Sequence, residues 1–289
     1  MNPRAPNRLL RPATLVIYAV LGFFALLTLL PFVWMVCAAV KSNEDFFTSQ
    51  FLPRGPGFLG IAWDHLTLDQ FVRLFRDLPV PRALLNSLFL ASVGSVFATL
   101  FCAMGGYGLS KFHFTGSRTL TAVILGTVVL PVALLLSPRF ETLYHLGLVD
   151  HYLGIFLPAL APAFGLYLFR QAMINSVPAD ILESARLDGC GEFRIFFQIV
   201  LPIVRPMVSA YLIISFIAIW NDYITPQIML QSPERQPLSV VIFSLKGLYT
   251  DDYGLLMAGT LVSIAPVMLL FFLLQREFIS GLTSGAVKG

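Results

Sequence analysis

The chain has 289 residues, of which 57% are apolar and only 12% are charged, and its formal net charge at pH 7 is +3. Soluble proteins carry roughly 25% charged residues, so this composition excludes an ordinary soluble domain. The basic residues are spread along the chain rather than gathered into one patch, which excludes a nucleic-acid-binding protein.

Six long segments with no charge, or with one, predict six transmembrane helices. The first two hold 29 and 28 consecutive uncharged residues, more than the roughly 20 that a membrane-crossing helix needs. The fifth is interrupted by a single charge, Asp222. In chain order the predicted spans are about 13–40, 83–110, 119–138, 151–169, 206–230 and 253–275. We therefore predict an all-α, polytopic membrane protein with a single transmembrane domain over residues 1–289.

The charges between the spans predict the orientation of the chain. With the N-terminus in the cytoplasm, the inside segments carry 11 basic and 5 acidic residues, and the outside segments carry 8 basic and 11 acidic residues. The positive-inside rule weights short loops most heavily. The short inside segments contain Arg4, Arg8, Arg11, Lys111 and Arg118. Six spans then place both termini in the cytoplasm.

The long segment 41–82 between the first two spans contains an amphipathic stretch. Its apolar residues recur every three or four positions beside charged ones and are Leu68, Phe71, Val72, Leu74 and Phe75. This spacing predicts a helix. The helix either lies on the membrane surface or packs as a cap over the helix bundle.

The second span carries two parallel rows of small residues. One row repeats every fourth position and comprises Gly94, Ala98, Cys102 and Gly106. The other runs beside it and comprises Ala91, Ser95, Thr99 and Ala103. Small residues allow another helix to approach closely within the membrane. The rows therefore predict tight helix packing, either within this chain or against a partner.

The segment between spans four and five, residues 170–205, mixes charged and strongly apolar residues. Pro178 suits the first position of a helix, and Asn175 or Ser176 can cap it. We expect this helix to run to about Leu187, with Ile181, Leu182 and Ala185 on one of its faces.

A turn at Asp188 and Gly189 ends that helix, because glycine readily adopts the left-handed conformation found at helix ends. The apolar residues that follow have helical spacing and are Phe193, Phe196, Phe197, Val200 and Leu201. They predict a second short helix that continues to Pro202. One apolar stripe of this helix pair can pack on the bundle and leave the other face for a partner.

The residues of this loop resemble the EAA loop of ABC importer permeases. The resemblance rests on Glu183-Ser184-Ala185, on Asp188-Gly189, and on Pro202 and Pro206 at their later positions. The triplet Trp220-Asn221-Asp222 resembles the carbohydrate branch of that family, close to the maltose-type second permease. Ser184 and Cys190 stand where the family commonly has alanine, and both are small enough to preserve a close contact.

The resemblance implies the type I ABC importer permease fold. It also implies an ATP-driven, binding-protein-dependent importer permease for a sugar or sugar-like solute, in a bacterial-type plasma (inner) membrane. Its partners would be cytoplasmic ATPase subunits, a second permease and an extracytoplasmic solute-binding protein. The residues implied to couple to the ATPase, within the loop 175–205, are Ile181, Leu182, Glu183, Ser184, Ala185, Asp188 and Gly189. The residues implied in the solute path are Trp220, Asn221, Asp222 and Tyr223.

Each of these sites has a simpler structural interpretation. Taken alone, Glu183 is expected to be a solvated acid on the protein surface. Asp222 is equally compatible with a carboxylate exposed to water at the outer membrane interface. Trp220 and Tyr223 suit an interfacial aromatic belt or core packing as well as a sugar ring.

The chain itself lacks the sequence features of several chemistries. It contains no G-x-x-x-x-G-K-[ST] phosphate loop, so we expect ATP and Mg²⁺ to bind partner subunits and this chain to be neither an enzyme nor a holder of cofactors. His145 and His151 have weak metal-ligand spacing, and we expect no metal site. The alternative function is a secondary, ion-coupled transporter. That class shows charged relays or broken helices in paired halves, and Asp222 is the one charge inside a predicted span.

Overall fold

A computed structural model describes residues 12–248 and 252–286. Within those ranges the chain is helical, and its one β-bridge pairs Arg54 with Ile61. The α-helices are α1 (Pro12–Ala39), α2 (Asn43–Thr48), α3 (Asp69–Arg76), α4 (Val80–Lys111), α5 (Ser117–Val128), α6 (Leu136–His145), α7 (Tyr152–Ala159), α8 (Ala163–Ser176), α9 (Ala179–Leu187), α10 (Glu192–Ile195), α11 (Leu201–Ile203), α12 (Arg205–Asn221), α13 (Ile224–Met229), α14 (Leu238–Leu248) and α15 (Tyr253–Ala286). Short 3₁₀ segments lie at Phe58–Gly60, Trp63–His65, Val132–Leu135 and Pro233–Arg235, and a π-helical segment at Phe196–Val200. The basic residues Arg4, Arg8 and Arg11 lie outside the described ranges.

The helices account for up to six membrane crossings. Three are single helices, at Thr14–Ala39, Val80–Lys111 and Tyr253–Leu273. The other three are pairs of helices, each bent by more than 40° at a short break. The predicted all-α, polytopic fold is therefore confirmed, and half of its crossings are bent rather than straight.

The predicted third span, 119–138, is not one helix. Its two halves are bent by 103° relative to each other and comprise Ser117–Val128 and Val132–His145. Pro131 lies at the break with an extended ψ of 127°. Proline has no backbone N–H to continue the helical hydrogen bonds and its ring obstructs the preceding turn, so the helix ends before it.

The predicted fourth and fifth spans are also divided. The fourth, 151–169, bends by 42° before Ala163, where Pro162 has a ψ of 136°. The fifth, predicted over 206–230, corresponds to the pair Glu192–Ile203 and Arg205–Asn221, which is bent by 84°, so it begins earlier than predicted. Its second helix ends at Asn221, and Asp222 has an extended ψ of 115°. The short helix α13 contains most of the residues of the predicted span that follow Asp222. Prolines and one polar residue inside apolar segments thus decide where the helices break.

The described chain forms two compact units. The first contains residues 12–78, 245–248 and 252–262. In it, Arg73 and Asp252 form an ion pair with an N–O distance of 2.6 Å. Helix α3 buries Leu74 completely and leaves Val72 and Phe75 exposed, as is Leu68 just before it. The predicted amphipathic helix therefore exists, with apolar side chains on both its buried and its exposed sides.

The second unit contains residues 79–244 and 263–286 and is built around α4. All eight small residues of the two predicted rows are buried. A Cβ atom at Gly106 would lie 2.7 Å from the Cβ of Phe169 in α8, and one at Gly94 would lie 2.8 Å from the side chain of Ile219 in α12. The rows thus pack α4 against helices of the same chain, which decides between the two predicted alternatives.

A large apolar cluster of this unit joins the end of α4 to the loop 175–205. It contains Tyr107 of α4 and Phe169 of α8 together with Leu182, Ala185 and Phe196. The helices of the loop therefore share a core with the transmembrane helices.

Candidate functional site

The loop between α8 and α12, residues 175–205, is called the docking loop here. Its first helix, α9, begins at Ala179, with Pro178 as the N-cap residue at φ −65° and ψ 142°. Asn175 and Ser176 belong to the end of α8 rather than capping α9. The predicted start is thus displaced by one residue, because the extended backbone of Pro178 separates the two helices.

The turn after α9 has the hydrogen bonds of a Schellman motif. Gly189 has a φ of +77°, and its N–H donates to the carbonyl of Arg186 at 3.0 Å. The N–H of Cys190 donates to the carbonyl of Ala185 at 3.0 Å. Glycine is favoured at such a left-handed position. The predicted role of Gly189 in the turn is confirmed, and the turn sets the direction in which the chain leaves α9.

The seven predicted coupling residues divide into a buried pair and an exposed group. Leu182 and Ala185 are 2% and 7% exposed and pack in the core cluster. The five exposed residues are Ile181, Glu183, Ser184, Asp188 and Gly189. The expected common face of Ile181, Leu182 and Ala185 is therefore wrong, since Ile181 is 43% exposed while the other two attach α9 to the bundle.

An apolar surface surrounds the turn. Leu187 is 89% exposed, and Phe193 and Phe197 are also exposed, whereas Phe196 and Val200 are buried. The second part of the docking loop thus does not present one stripe: its aromatic residues divide between the core and the outer surface. Exposed apolar groups beside the acid Glu183 make a surface suited to a protein partner.

A polar cluster that the sequence analysis did not identify links the docking loop to α4. Arg186 Nε donates to Glu192 Oε1 at 2.7 Å, and the hydroxyl of Tyr107 donates to Glu192 Oε2 at 2.6 Å. The hydrogen bond to Glu192 is the main cause that raises the pKa of Arg186. The opposite charges of Arg186 and Glu192 on either side of the Asp-Gly turn are a sequence signal for their ion pair. Nothing in the sequence indicates that Tyr107 contacts this pair.

The predicted path residues lie where α12 ends. Asp222 Oδ1 accepts a hydrogen bond from the backbone N–H of Thr225 at 3.1 Å. Its carbonyl accepts one from the hydroxyl of Ser239 at 2.9 Å. Asp222 and Arg139 line a cavity of about 60 Å³.

The two aromatic residues of the predicted path pack against their own chain. Trp220 is 3% exposed and its indole Nε1 donates to the carbonyl of Ser263 at 3.1 Å. Its ring stacks on Phe216. Tyr223 stacks on Phe243 with ring centroids 4.2 Å apart. The structure thus gives Trp220 a packing role, while Asn221 is exposed and Asp222 borders the cavity.

The residues described show no cluster of metal ligands. Over the ranges 12–248 and 252–286, no group of three or more His, Cys, Asp or Glu side chains is placed to hold a metal ion.

Comparison with protein families gives a match over nearly the whole chain. Residues 4–282 match the family described as the binding-protein-dependent transport system inner membrane component. The chain belongs to this family. It is therefore a multi-pass inner membrane component of a transport system, and the resemblance to ABC importer permeases is confirmed.

Among curated proteins, the chain is 35% identical to the lactose transport system permease protein LacG of Rhizobium radiobacter, over 94% of this chain and 95% of the relative. It is 34% identical to the arabinooligosaccharides transport system permease protein AraQ of Bacillus subtilis, over 92% of this chain and 94% of the relative.

The fold is shared with a solved structure of a bacterial ABC transporter involved in the import of the acidic polysaccharide alginate. The similarity has a TM-score of 0.74 and covers 95% of this chain and 99% of that one, at 24% sequence identity. At this identity the comparison shows a shared fold and not a shared solute.

Proposed function

We propose that this chain is a permease subunit of an ATP-driven importer for a sugar or sugar-like solute, a small oligosaccharide above all. Membership of the family carries the transport role. The solute class is supported by relatives at 35% and 34% identity whose names specify lactose and arabinooligosaccharides. Delivery of the solute by a binding protein is what the family description specifies.

The docking loop is proposed to bind a cytoplasmic ATPase subunit. The observation that carries this is the arrangement of α9, which is anchored by Leu182 and presents Glu183 and Leu187 to solvent. Glu183 would accept a charge-assisted hydrogen bond from a basic residue of the ATPase, and Leu187 would enter an apolar pocket. ATP and Mg²⁺ would be bound by the ATPase.

Transport would then proceed by alternating access. ATP binding would close the ATPase subunits and move the docking loop, and the helices of this chain and of a second permease would follow. ATP drives such a change only if it binds the two states with different affinity, by about 5.5 kcal/mol for a full population switch. Asn221 and Asp222, at the end of α12, are proposed to contact the solute or its gate.

Reconstitution tests the function directly. The chain, its second permease, its ATPase and its binding protein are placed in lipid vesicles, and uptake of labelled lactose and of arabinose oligosaccharides is measured with internal ATP. Uptake that needs both ATP and the binding protein supports the proposal. Uptake driven by an ion gradient without ATP would establish the alternative, a secondary ion-coupled transporter.

Two leucines of α9 test the docking surface. Leu187→Ala should leave the thermal stability of the permease unchanged and reduce copurification of the ATPase, because Leu187 is 89% exposed. Leu182→Ala should instead destabilise the permease itself by about 2 to 5 kcal/mol, as buried leucines do. Glu183→Ala should weaken copurification more mildly than Leu187→Ala. Normal copurification in both surface variants would remove the loop from this role.

The orientation is proposed to be the one with both termini in the cytoplasm. In a variant without the native cysteines Cys37, Cys102 and Cys190, single cysteines at Ser42 and Ser284 report the two sides. An impermeant thiol reagent should label the first in intact cells. Labelling of the second would reverse the orientation.

A further inference from the structure

Tyr107, at the end of α4, is hydrogen-bonded to the carboxylate of Glu192 in the docking loop. Arg186 of α9 binds the same carboxylate. The three residues Tyr107, Arg186 and Glu192 are called the clamp. Glu192 accepts from Tyr107 at 2.6 Å on one oxygen and from Arg186 at 2.7 Å on the other. The guanidinium of Arg186 also lies over the ring of Phe112, 5.8 Å from its centroid. Three separate segments are thus held at a single carboxylate.

The clamp spans a junction that side-chain packing leaves partly open. A cavity of about 160 Å³ lies beside it, lined by Tyr107, Phe112, Glu192 and Phe193 among others. Phe193 is 70% exposed, so its ring does not fill this space. Where apolar contact is incomplete, a short hydrogen bond to an ionised group determines the relative position of the segments more strongly.

The clamp is continuous with the most tightly packed contacts of α4. Gly106 precedes Tyr107 and allows no Cβ atom, because one would lie 2.8 Å from the backbone nitrogen of Arg170. Farther along the same helix, a Cβ atom at Gly94 would lie 2.8 Å from the terminal methyl of Ile219 in α12, a side chain that can adjust. A displacement of Tyr107 along or around the axis of α4 must therefore move α8 as well.

We propose that the clamp of Tyr107, Glu192 and Arg186 transmits movement from the docking helix α9 to the transmembrane helix α4, so that ATP hydrolysis is coupled to transport. This inference rests on the proposed docking of the ATPase at α9. The three residues are positioning residues, because none of them needs to contact nucleotide or solute. Leu182 and Ala185 hold α9 on the bundle by packing, and the clamp fixes its angle to α4.

The matched pair Tyr107→Phe and Tyr18→Phe tests the transmission. The first removes only the hydroxyl that donates to Glu192. The second removes a hydroxyl from a side chain of α1 that is 57% exposed. Uptake and ATP hydrolysis are measured in the same reconstituted vesicles containing the complete transporter. Tyr107→Phe should retain bound ATPase and lower the uptake per ATP hydrolysed by about fivefold or more, within the usual range of coupling energies, and Tyr18→Phe should not.

Charge reversal supplies a second readout that a purely structural role would not give. Arg186→Glu and Glu192→Arg each place like charges together and should lower the uptake per ATP. The double variant restores an opposite pair, and the Tyr107 hydroxyl can then accept a hydrogen bond from the arginine at position 192, so much of the loss should be recovered. Recovery in the double variant, together with the effect of Tyr107→Phe, supports the clamp.

The outcomes separate this inference from the docking proposal. Loss of ATPase copurification in Leu187→Ala, combined with unchanged uptake per ATP in Tyr107→Phe, would support docking and overturn the clamp. Loss of copurification in Tyr107→Phe would also overturn it, since the hydroxyl would then serve docking rather than transmission. If Tyr107→Phe alters melting temperature in detergent, the charge-reversal series decides: absence of recovery in the double variant overturns the proposal.

Discussion

The carboxylate of Asp150 accepts a hydrogen bond from the backbone N–H of Ser232 at 2.9 Å, across 82 positions of the chain. The hydroxyl of Ser232 donates to its other oxygen, and Arg235 Nη1 lies 3.0 Å from the same oxygen. Asp150 has a φ of +60°, and its own N–H donates to the carbonyl of Met229. Asn86 donates to the carbonyls of Glu234 and Gln236. The connection after α13 is therefore fixed to both neighbouring segments.

Replacing Asp150 with asparagine should remove a pH-dependent part of the stability. Hydrogen bonds from Ser232 are the main cause that lowers the pKa of Asp150, and Arg235 adds to them. Because the pKa of Asp150 is lower in the folded state, the ionised carboxylate contributes its full stabilisation above the unfolded pKa of about 3.9. This stabilisation is lost as pH falls through the folded pKa. The loss in Asp150→Asn should be about 1 kcal/mol at neutral pH, because the pair is partly exposed.

Melting temperatures of the purified protein from pH 7 to pH 3 measure this difference. Asparagine tolerates a positive φ, so the substitution leaves the backbone of residue 150 in place. Wild type and variant should differ at pH 7 and converge at low pH. Asp77→Asn, at an exposed pair with Arg76, should show no such difference. A gap that persists unchanged at pH 3 would contradict the prediction.

Two glycines of α4, two positions apart, should respond oppositely to alanine. A Cβ atom at Gly106 would lie 2.7 to 2.9 Å from atoms of Phe169 and Arg170, two of them backbone atoms, whereas one at Gly108 would meet nothing within 4 Å. Gly106→Ala should push α4 and α8 apart and destabilise the protein by about 1 to 3 kcal/mol. Gly108→Ala should be neutral or slightly stabilising. Thermal melting in detergent distinguishes them, and equal stability of the two variants would refute the close contact.

Gly189→Val should uncouple the docking helix. The φ of +77° makes a β-branched side chain costly although the space around the position is open. The strain, of order 1 to 3 kcal/mol, is relieved by turning the chain away from its left-handed conformation. The variant should insert into the membrane normally and copurify poorly with the ATPase, or hydrolyse ATP without uptake.

Two further variants control for this interpretation. Gly189→Asn should be milder than Gly189→Val, because asparagine adopts left-handed backbone more readily. Gly191→Ser should be neutral, since Gly191 has a φ of −72° and caps α10 in an extended conformation. Full coupled transport in Gly189→Val would contradict the proposed role of the turn.

The end of α12 should separate a path role from a capping role. Asp222→Asn preserves the acceptor for the N–H of Thr225, whereas Asp222→Ala removes it. If the charge of Asp222 lines the path, both variants should impair uptake while complex assembly is retained, and Asn221→Leu should do the same. Impairment by Asp222→Ala alone would assign the residue to capping. Uptake is measured in vesicles, and assembly by copurification of the subunits.

Much of this architecture could be predicted from the sequence because the membrane imposes strong constraints. Charges are costly in the hydrocarbon, so their absence over long segments indicates the spans. The spacing from Glu183 to Gly189 indicated the docking helix and its turn, since only local backbone geometry was needed. The two rows of small residues on α4 indicated a close helix contact, because close approach in lipid needs small side chains.

The sequence by itself determined the helical membrane fold, the docking motif and the family, all of which depend on local composition and spacing. Only the tertiary structure decided which side chains meet. It divided α9 into a buried pair and an exposed surface, packed Trp220 against Ser263, and brought Tyr107 to Glu192 across 85 positions. Such pairings depend on how the bent helices cross, and a bend of 103° at Pro131 changes those crossings while leaving the hydropathy of the segment unaltered.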